Sequence, residues 1–455
     1  MIRNRRRKTW RAMYSLLLLC AVTFFCNCND EMKPYESLGG IPPDFDKPIE
    51  IASYFPDSGG IGTQLIIRGN NFGTDTSYIR VTVGRNDKKA HVIGSNGSVI
   101  YAIVPARADT GNVKVHIGKG SNVKELVFND KFKYIFKQNV TTVAGTKEGT
   151  TDGTIADATL RSPQWIAFDN DGAMYIVEKG EGTNGEGGIR KIYNGMISTL
   201  IRSNSGPFRR PRAICFAYGT DPACDTMYVA NDQNYDNCMA VGIMLRKNGF
   251  LNVKSVVQNK QNNHVTVNPV TNELFYNRFT HGTFFRVDKK TYEQTELFDL
   301  EGDNIEFSTI FSRDGKTIYV IVRNQHYILK GDYNLSTRKI ENLSPFVGKK
   351  GTSAYANGIG EETRFNQPCQ GAVDDEGNLF VVEQQNHCVR KITPDGVVTL
   401  WAGTPVVQTG DKWGYLDGEP LKAKFRDPEG LAFGPDGALY VADMNNHRIR
   451  KILVE

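Results

Sequence analysis

Charge of one sign is what this sequence most lacks once its first residues are set aside. Six of its 55 basic residues (Arg3, Arg5, Arg6, Arg7, Lys8 and Arg11) precede residue 28, and the rest of the chain sets 49 basic against 50 acidic side chains. That balance gives no general electrostatic claim on nucleic acid or on an anionic membrane surface, and no nucleic-acid partner is expected. Cysteine is scarce too. Besides Cys20, Cys26 and Cys28 near the N-terminus there are five, Cys215, Cys224, Cys238, Cys369 and Cys388, and an odd number cannot pair completely, so they build no disulfide framework. Cys224 and Cys238 flank a predicted strand at 227–230, which sets them about 15 Å or more apart and out of disulfide reach. Cys369 and Cys388 fall at the same end of their repeat and are placed to pair. None has the CxxC spacing of a zinc site. A Ser-His-Asp order, a phosphate-binding glycine loop and an isolated pair of acids are also missing. The sequence therefore assigns no catalytic residue, no metal ligand and no cofactor.

What is present begins with the N-terminal basic cluster and the hydrophobic run behind it, Tyr14 to Cys28. A charged segment followed by a short apolar one is an export signal rather than a spanning helix. Residues 1–27 are expected to be removed, with Cys28 as the lipidated first residue of a lipoprotein, because polar Asn29, Asp30 and Glu31 follow at once. Cys26 is the alternative, since Phe25-Cys26-Asn27 is a loose form of the usual lipobox. The acidic residues after Cys28 resemble surface-export signals of lipoproteins in Gram-negative glycan-degrading bacteria. That resemblance implies an outer-membrane, lipid-anchored protein on the cell surface, touching the membrane through its anchor only. Residues 28–47 carry Pro34, Gly39, Gly40, Pro42 and Pro43 without periodicity and read as a flexible tether.

Residues 48–136 show short alternating strands between Gly, Asn and Pro turns, the pattern of an antiparallel sandwich. The phrase from Ile51 to Gly73, I-x-S-x-x-P-x-x-G-x-x-G-T-x-L-x-I-x-G-x-N-F-G, resembles the IPT/TIG branch of immunoglobulin-like domains. Its glycines and its Asn-Phe-Gly corner read as turns and a Phe plug, hence scaffold.

From 138 to 455 the chain repeats. Residues 368–392 and 428–452 are two copies of one phrase, P-C-Q-G-A-V-D-D-E-G-N-L-F-V-V-E-Q-Q-N-H-C-V-R-K-I and P-E-G-L-A-F-G-P-D-G-A-L-Y-V-A-D-M-N-N-H-R-I-R-K-I. The first runs on into V-V-T-L-W-A-G-T (397–404); the second does not, yet V-T-T-V-A-G-T stands at 140–146. A ring of sheets closed by its N-terminal strand explains both facts, and closure removes exposed sheet edges. Asp152 with Pro163, Asn357 with Pro368 and Asp417 with Pro428 mark the clear repeats, and each ends Arg-Lys-Ile. These phrases resemble the NHL-repeat family of six-bladed propellers. Weaker copies begin at Arg210, His264 and Ser308, so six blades of about fifty residues fill the segment. The expected fold is all-β: an Ig-like β-sandwich, then a six-bladed β-propeller closed by an N-terminal strand.

Propeller topology sends the long loops to one face and the tight turns to the other. On the loop-rich face the sequence collects Trp413, Tyr415, Tyr355 and Trp165, the last at a position that is Gly430, Gln370 or Ala213 elsewhere. Aromatic faces bordered by polar groups suit sugar rings, and the polar partners here are Glu383, Gln385, Asp443 and Asn445. The competing reading is that the aromatics only pack their loops and that Glu178, Glu383 and Asp443, which share a repeat position, cap backbone N–H groups. Trp401 aligns with Val143 in an outer strand and is assigned to packing. Of His264, His281, His326, His387 and His447, all expected near this face, His387 and His447 share a repeat position and read as structural; the other three show no fixed spacing. Family resemblance implies a partner of glycan-uptake machinery with a poly- or oligosaccharide ligand and an outer-membrane transporter nearby. A metal-dependent propeller lyase or lactonase and a protein-interaction scaffold remain the alternatives, because propellers host all three.

Overall fold

The computed structural model describes residues 40–454, apart from 106, 137, 180–187, 203–207, 218–224, 234–236, 260 and 407–409. The export signal, Cys28, most of the tether and Cys224 lie outside the described residues. Two compact units divide the chain, one ending at Phe136 and the other spanning Lys137–Val454. Among the described residues there is no α-helix, and none therefore long and apolar enough to cross a membrane.

The first unit holds two sheets. One pairs Glu50–Phe55, Gln64–Asn70, Val99–Ile103 and His91–Ser95; the other is built mainly from Asn122–Tyr134, Gly111–Lys119 and Ile79–Val83. Alternate residues of both, such as Leu65, Ile67, Val81, Ile100, Val115 and Phe132, share one apolar core. The Asn-Phe-Gly corner is the expected plug: Phe72 is fully buried, and a Cβ on Gly69 would stand 2.3 Å from its ring. No other residue fits at Gly69 without moving that ring.

The second unit holds six sheets in sequence order. Their inner strands are Pro163–Phe168, Pro211–Ala217, Val265–Val267, Phe307–Phe311, Pro368–Val373 and Gly430–Phe433. Each inner strand packs on the next, and the first packs on the last. Gln370 of the fifth sheet ties both sides of that last junction, accepting Ile166 N–H at 3.2 Å and Leu431 N–H at 3.0 Å. Within a sheet, antiparallel strands follow one another outward. In the first and fifth sheets a two-residue strand from earlier in the chain, Gly153–Thr154 or Gly358–Ile359, adds outside the fourth, and in the sixth the fourth strand itself comes from earlier, Gln138–Ala144 pairing with Arg448–Val454. There Thr142 N–H donates to Asp417 at 3.0 Å, as Thr199 N–H donates to Asp152 in the first sheet.

The turns follow from Asp side chains that replace backbone partners. Asp169 accepts the N–H groups of Asp171 and Ala173, and Asp374 those of Glu376 and Asn378. Gly172 and Gly377 then take φ of 78° and 81°, which side-chain-bearing residues adopt only at a cost.

The Arg-Lys-Ile ending also has a physical reason. Arg190, Arg390 and Arg450 are fully buried. Each guanidinium reaches the carboxylate that ends the second strand, Glu178 at 3.2 Å, Glu383 at 2.6 Å and Asp443 at 2.8 Å. On its other side it bonds the loop residue Asp152, Asn357 or Asp417. Those two residues, far apart in sequence, therefore recur together because one arginine holds both. Cys369 and Cys388, placed by the sequence to pair, are free thiols. Each points at its own acceptor, the Gln367 carbonyl at 3.3 Å and Glu383 at 3.7 Å.

Candidate ligand-binding face

Of the eight expected ligand-binding residues, two leave the set. Glu383 and Asp443 have no exposed surface. Besides its arginine, Glu383 accepts Asn366 N–H and Asn386 Nδ2, and Asp443 accepts Arg426 N–H and Asn446 Nδ2. Their oxygens are consumed inside the sheet, as are those of Glu178, so the capping reading holds and no ligand reaches them.

The aromatics do not converge on one spot. Trp413 and Tyr415 are 40% and 48% exposed. The Trp413 ring lies on the Arg426 guanidinium at 4.7 Å, and Tyr415 on Arg448 at 4.1 Å and Arg450 at 5.0 Å. The Tyr415 hydroxyl accepts from Thr142 of the outermost strand, which sets this ring toward the rim of its sheet. Tyr355 repeats the arrangement half-buried, with Arg390 4.6 Å from its ring. Polar neighbours gather around Trp413. Gln385 and Asn445 both donate to Asp427, at 3.4 and 2.7 Å, and Lys412, beside Trp413, donates to the Gln385 carbonyl at 2.9 Å. Trp413, Gln385 and Asn445 thus share one exposed neighbourhood where the fifth sheet meets the sixth.

Trp165 stands apart from them, in the wall of the central channel. Its ring packs beside His264 at 5.2 Å and its Nε1–H donates to the Ile214 carbonyl at 3.0 Å. Two spaces meet at this level. A mouth of about 50 Å³ opens among Gln164, Trp165, Arg212, Asn263, Arg323 and Glu429 on the loop-rich side. A chamber of about 290 Å³ continues toward the tight turns, where Pro269 and Arg313 line it. Sequence reasoning missed this chamber. Its signal was present: the last core position of each inner strand is Phe168, Phe216, Val267, Phe311, Val373 or Phe433, an apolar ring.

The histidines do not gather into a donor set; among the described residues no three His, Cys, Asp or Glu side chains cluster as metal ligands do. His326, read from sequence as irregular, in fact shares the repeat position of His387 and His447. All three take left-handed backbone angles, φ 64°, 53° and 55°. All three accept at Nδ1 a backbone N–H from the next sheet: Gln367 at 3.1 Å, Asp427 at 3.0 Å and Ser162 at 3.2 Å. Burial holds each imidazole below its ordinary pKa, which favours the neutral ring that an acceptor requires. His447 makes this latch across the junction of the last sheet with the first.

Two family models match this chain, the IPT/TIG domain over residues 48–134 and the Teneurin NHL domain over residues 350–453. The class is thus an IPT/TIG domain followed by an NHL-type propeller. An auxiliary nutrient binding protein from Bacteroides thetaiotaomicron is 31% identical, with 91% of this chain and 99% of that one covered at a TM-score of 0.64. This chain belongs to the family of that protein. A putative phosphatase from the same organism is 29% identical over 91% and 99% of the two chains, TM-score 0.63. An auxiliary nutrient binding protein from Bacteroides ovatus is 25% identical over 91% and 100%, TM-score 0.66. The matched parts cover only 9% and 8% of the first two curated relatives, which are much longer proteins.

Proposed function

We propose that this chain is a surface lipoprotein that captures a nutrient, a poly- or oligosaccharide, on the loop-rich face of a six-bladed propeller. The six sheets are its blades, the Gln138–Ala144 strand closes the ring, and residues 48–136 form an Ig-like sandwich. Cys28 carries the lipid on the outer membrane, and residues 28–47 hold the folded units away from it. An outer-membrane transporter is the partner to which captured glycan passes. Relatives described as auxiliary nutrient binding proteins support a binding role.

One observation carries the choice of ligand: Trp413 is an indole with 40% of its surface exposed, fixed on Arg426 and bordered by Gln385 and Asn445. A rigid aromatic face beside amide groups meets a sugar's C–H face and its hydroxyls together. Tyr415 extends the apolar surface, and Trp165 lies in the channel mouth. Affinity-gel and array screening against neutral and acidic polysaccharides tests the reading. Retention by one polysaccharide class, weakened by Trp413→Ala, is expected. No retention by any class, or retention indifferent to Trp413→Ala and Tyr415→Ala together, would end it.

A further inference from the structure

The channel mouth is divided in charge. On the side of the fourth to sixth blades, Arg323 is committed: it bonds Glu429 at 2.8 Å and Gln384 at 2.8 Å and lies 3.4 Å from Glu306. On the other side stand Gln164, Arg212, Asn263 and His264. Arg212 is the single formal charge among these four. It is half-buried, and among the described residues its side chain makes no ion pair or hydrogen bond, although its charge acts on buried Asp232, whose ion-pair partner is Arg210; the buried arginines of the repeat, by contrast, each bond a carboxylate. Its guanidinium fork is thus left without a hydrogen-bonded acceptor among the described residues, and such a planar fork fits a carboxylate with two parallel bonds.

A second, independent feature lies in the same wall. His264 is 2% exposed, and its Nε2 stands 2.9 Å from the Thr309 nitrogen, 3.1 Å from its carbonyl oxygen and 3.0 Å from its hydroxyl. Its Nδ1 is buried and has no partner among the described residues. An orphaned ring nitrogen in the same wall as an open guanidinium fork points to a bound polar group. Size narrows its nature. About 50 Å³ admits a substituent or a few waters, not a pyranose ring.

We propose that the mouth receives a carboxylate carried by the captured glycan, bound by Arg212, so that the ligand is a uronic-acid polysaccharide whose sugar ring stays outside on the loop-rich face. This rests on the glycan-binding reading above. Arg212 sets specificity, and a neutral glycan loses the contact.

The test is affinity-gel retention of the purified chain on polygalacturonate, alginate and hyaluronan, on the carboxyl-reduced form of each, and on dextran sulfate. Retention by at least one uronate polymer is expected, weakened about tenfold or more by carboxyl reduction and by Arg212→Gln, as loss of a charge-assisted pair implies. Arg212→Lys should recover part of it, and the melting temperature of Arg212→Gln should stay close to the parent's, since Arg212 makes no ion pair or side-chain hydrogen bond among the described residues. Equal retention before and after carboxyl reduction, or by Arg212→Gln, overturns the inference. Retention by neutral polysaccharides alone overturns it while leaving glycan capture standing. Retention by dextran sulfate in place of uronates overturns the carboxylate assignment, and retention by nothing removes both readings.

Discussion

In the fifth blade Arg390 pairs with Val381 across the strands and fills the space between Glu383 and the ring of Phe365, 5.3 Å from its guanidinium. At the matching place in the second blade, opposite Val229, stands Gly242, and Phe208 descends onto it directly. A Cβ on Gly242 would come within 2.7 Å of that ring. One blade thus holds its incoming loop with a buried ion and its hydrogen bonds, the other with an aromatic ring on bare backbone. The arginines and carboxylates repeated in the first, fifth and sixth blades are committed to one another and have nothing left for a ligand. The blades that abandon the repeat supply Arg212, Asn263 and His264 to the channel mouth. The repeated ion pairs are scaffold, and departure from them furnishes the channel mouth.

The largest effect should come from breaking the arginine version. Arg390→Ala leaves Glu383 charged and buried without its partner and should cost about 3–5 kcal/mol, measured by urea unfolding; a loss under 1 kcal/mol would show that the pair is dispensable. In the second blade, Gly242→Ala should cost about 1–3 kcal/mol by overpacking against Phe208, while Phe208→Ala together with Gly242→Ala should remove the clash and couple measurably in a double-mutant cycle.

The inter-blade histidines give a smaller, pH-dependent effect. Their pKa values are lowered in the folded chain, so the unfolded chain binds protons more tightly. Their stabilisation is therefore complete above the unfolded value of about 6.5 and is lost as pH falls through the lowered values. The charged groups facing them are Asp427, Lys412 and Arg426 at His387, and Glu148, Arg448, Arg426 and Arg161 at His447. The melting temperature should drop between pH 7 and 5, and replacing His326, His387 and His447 by Gln should cost about 1 kcal/mol per latch at pH 7.5 and flatten that dependence. An unchanged slope would refute the latch. Least of all, Trp413→Ala should change stability by under about 0.5 kcal/mol, as a surface substitution does, while binding falls.

Much of the fold was legible because the repeat records geometry. Asp-Gly turns, alternating strands and the V-T-T-V-A-G-T segment each act locally, and the strand expected at 227–230 is found at Thr226–Asn231. The site was less legible. Glu383 and Asp443 looked like ligand groups because sequence does not show that Arg390 and Arg450, seven residues on, turn back to them. His326 escaped its class because R-N-Q-H shares only the His with Q-Q-N-H and one Asn besides with M-N-N-H; what recurs is a left-handed backbone angle and a bond to the next blade. Arg212 drew no notice for a related reason: lacking a partner is a property of space, not of a motif.

The most direct test of the account is hydrogen exchange of the whole chain with and without the polysaccharide that retains it. Added protection should fall on the loop-rich face, at 161–165, 209–212, 384–387, 411–418 and 444–447. Protection confined to the tight turns at 169–173, 268–273 and 312–316 would place the ligand at the other end of the channel and contradict it.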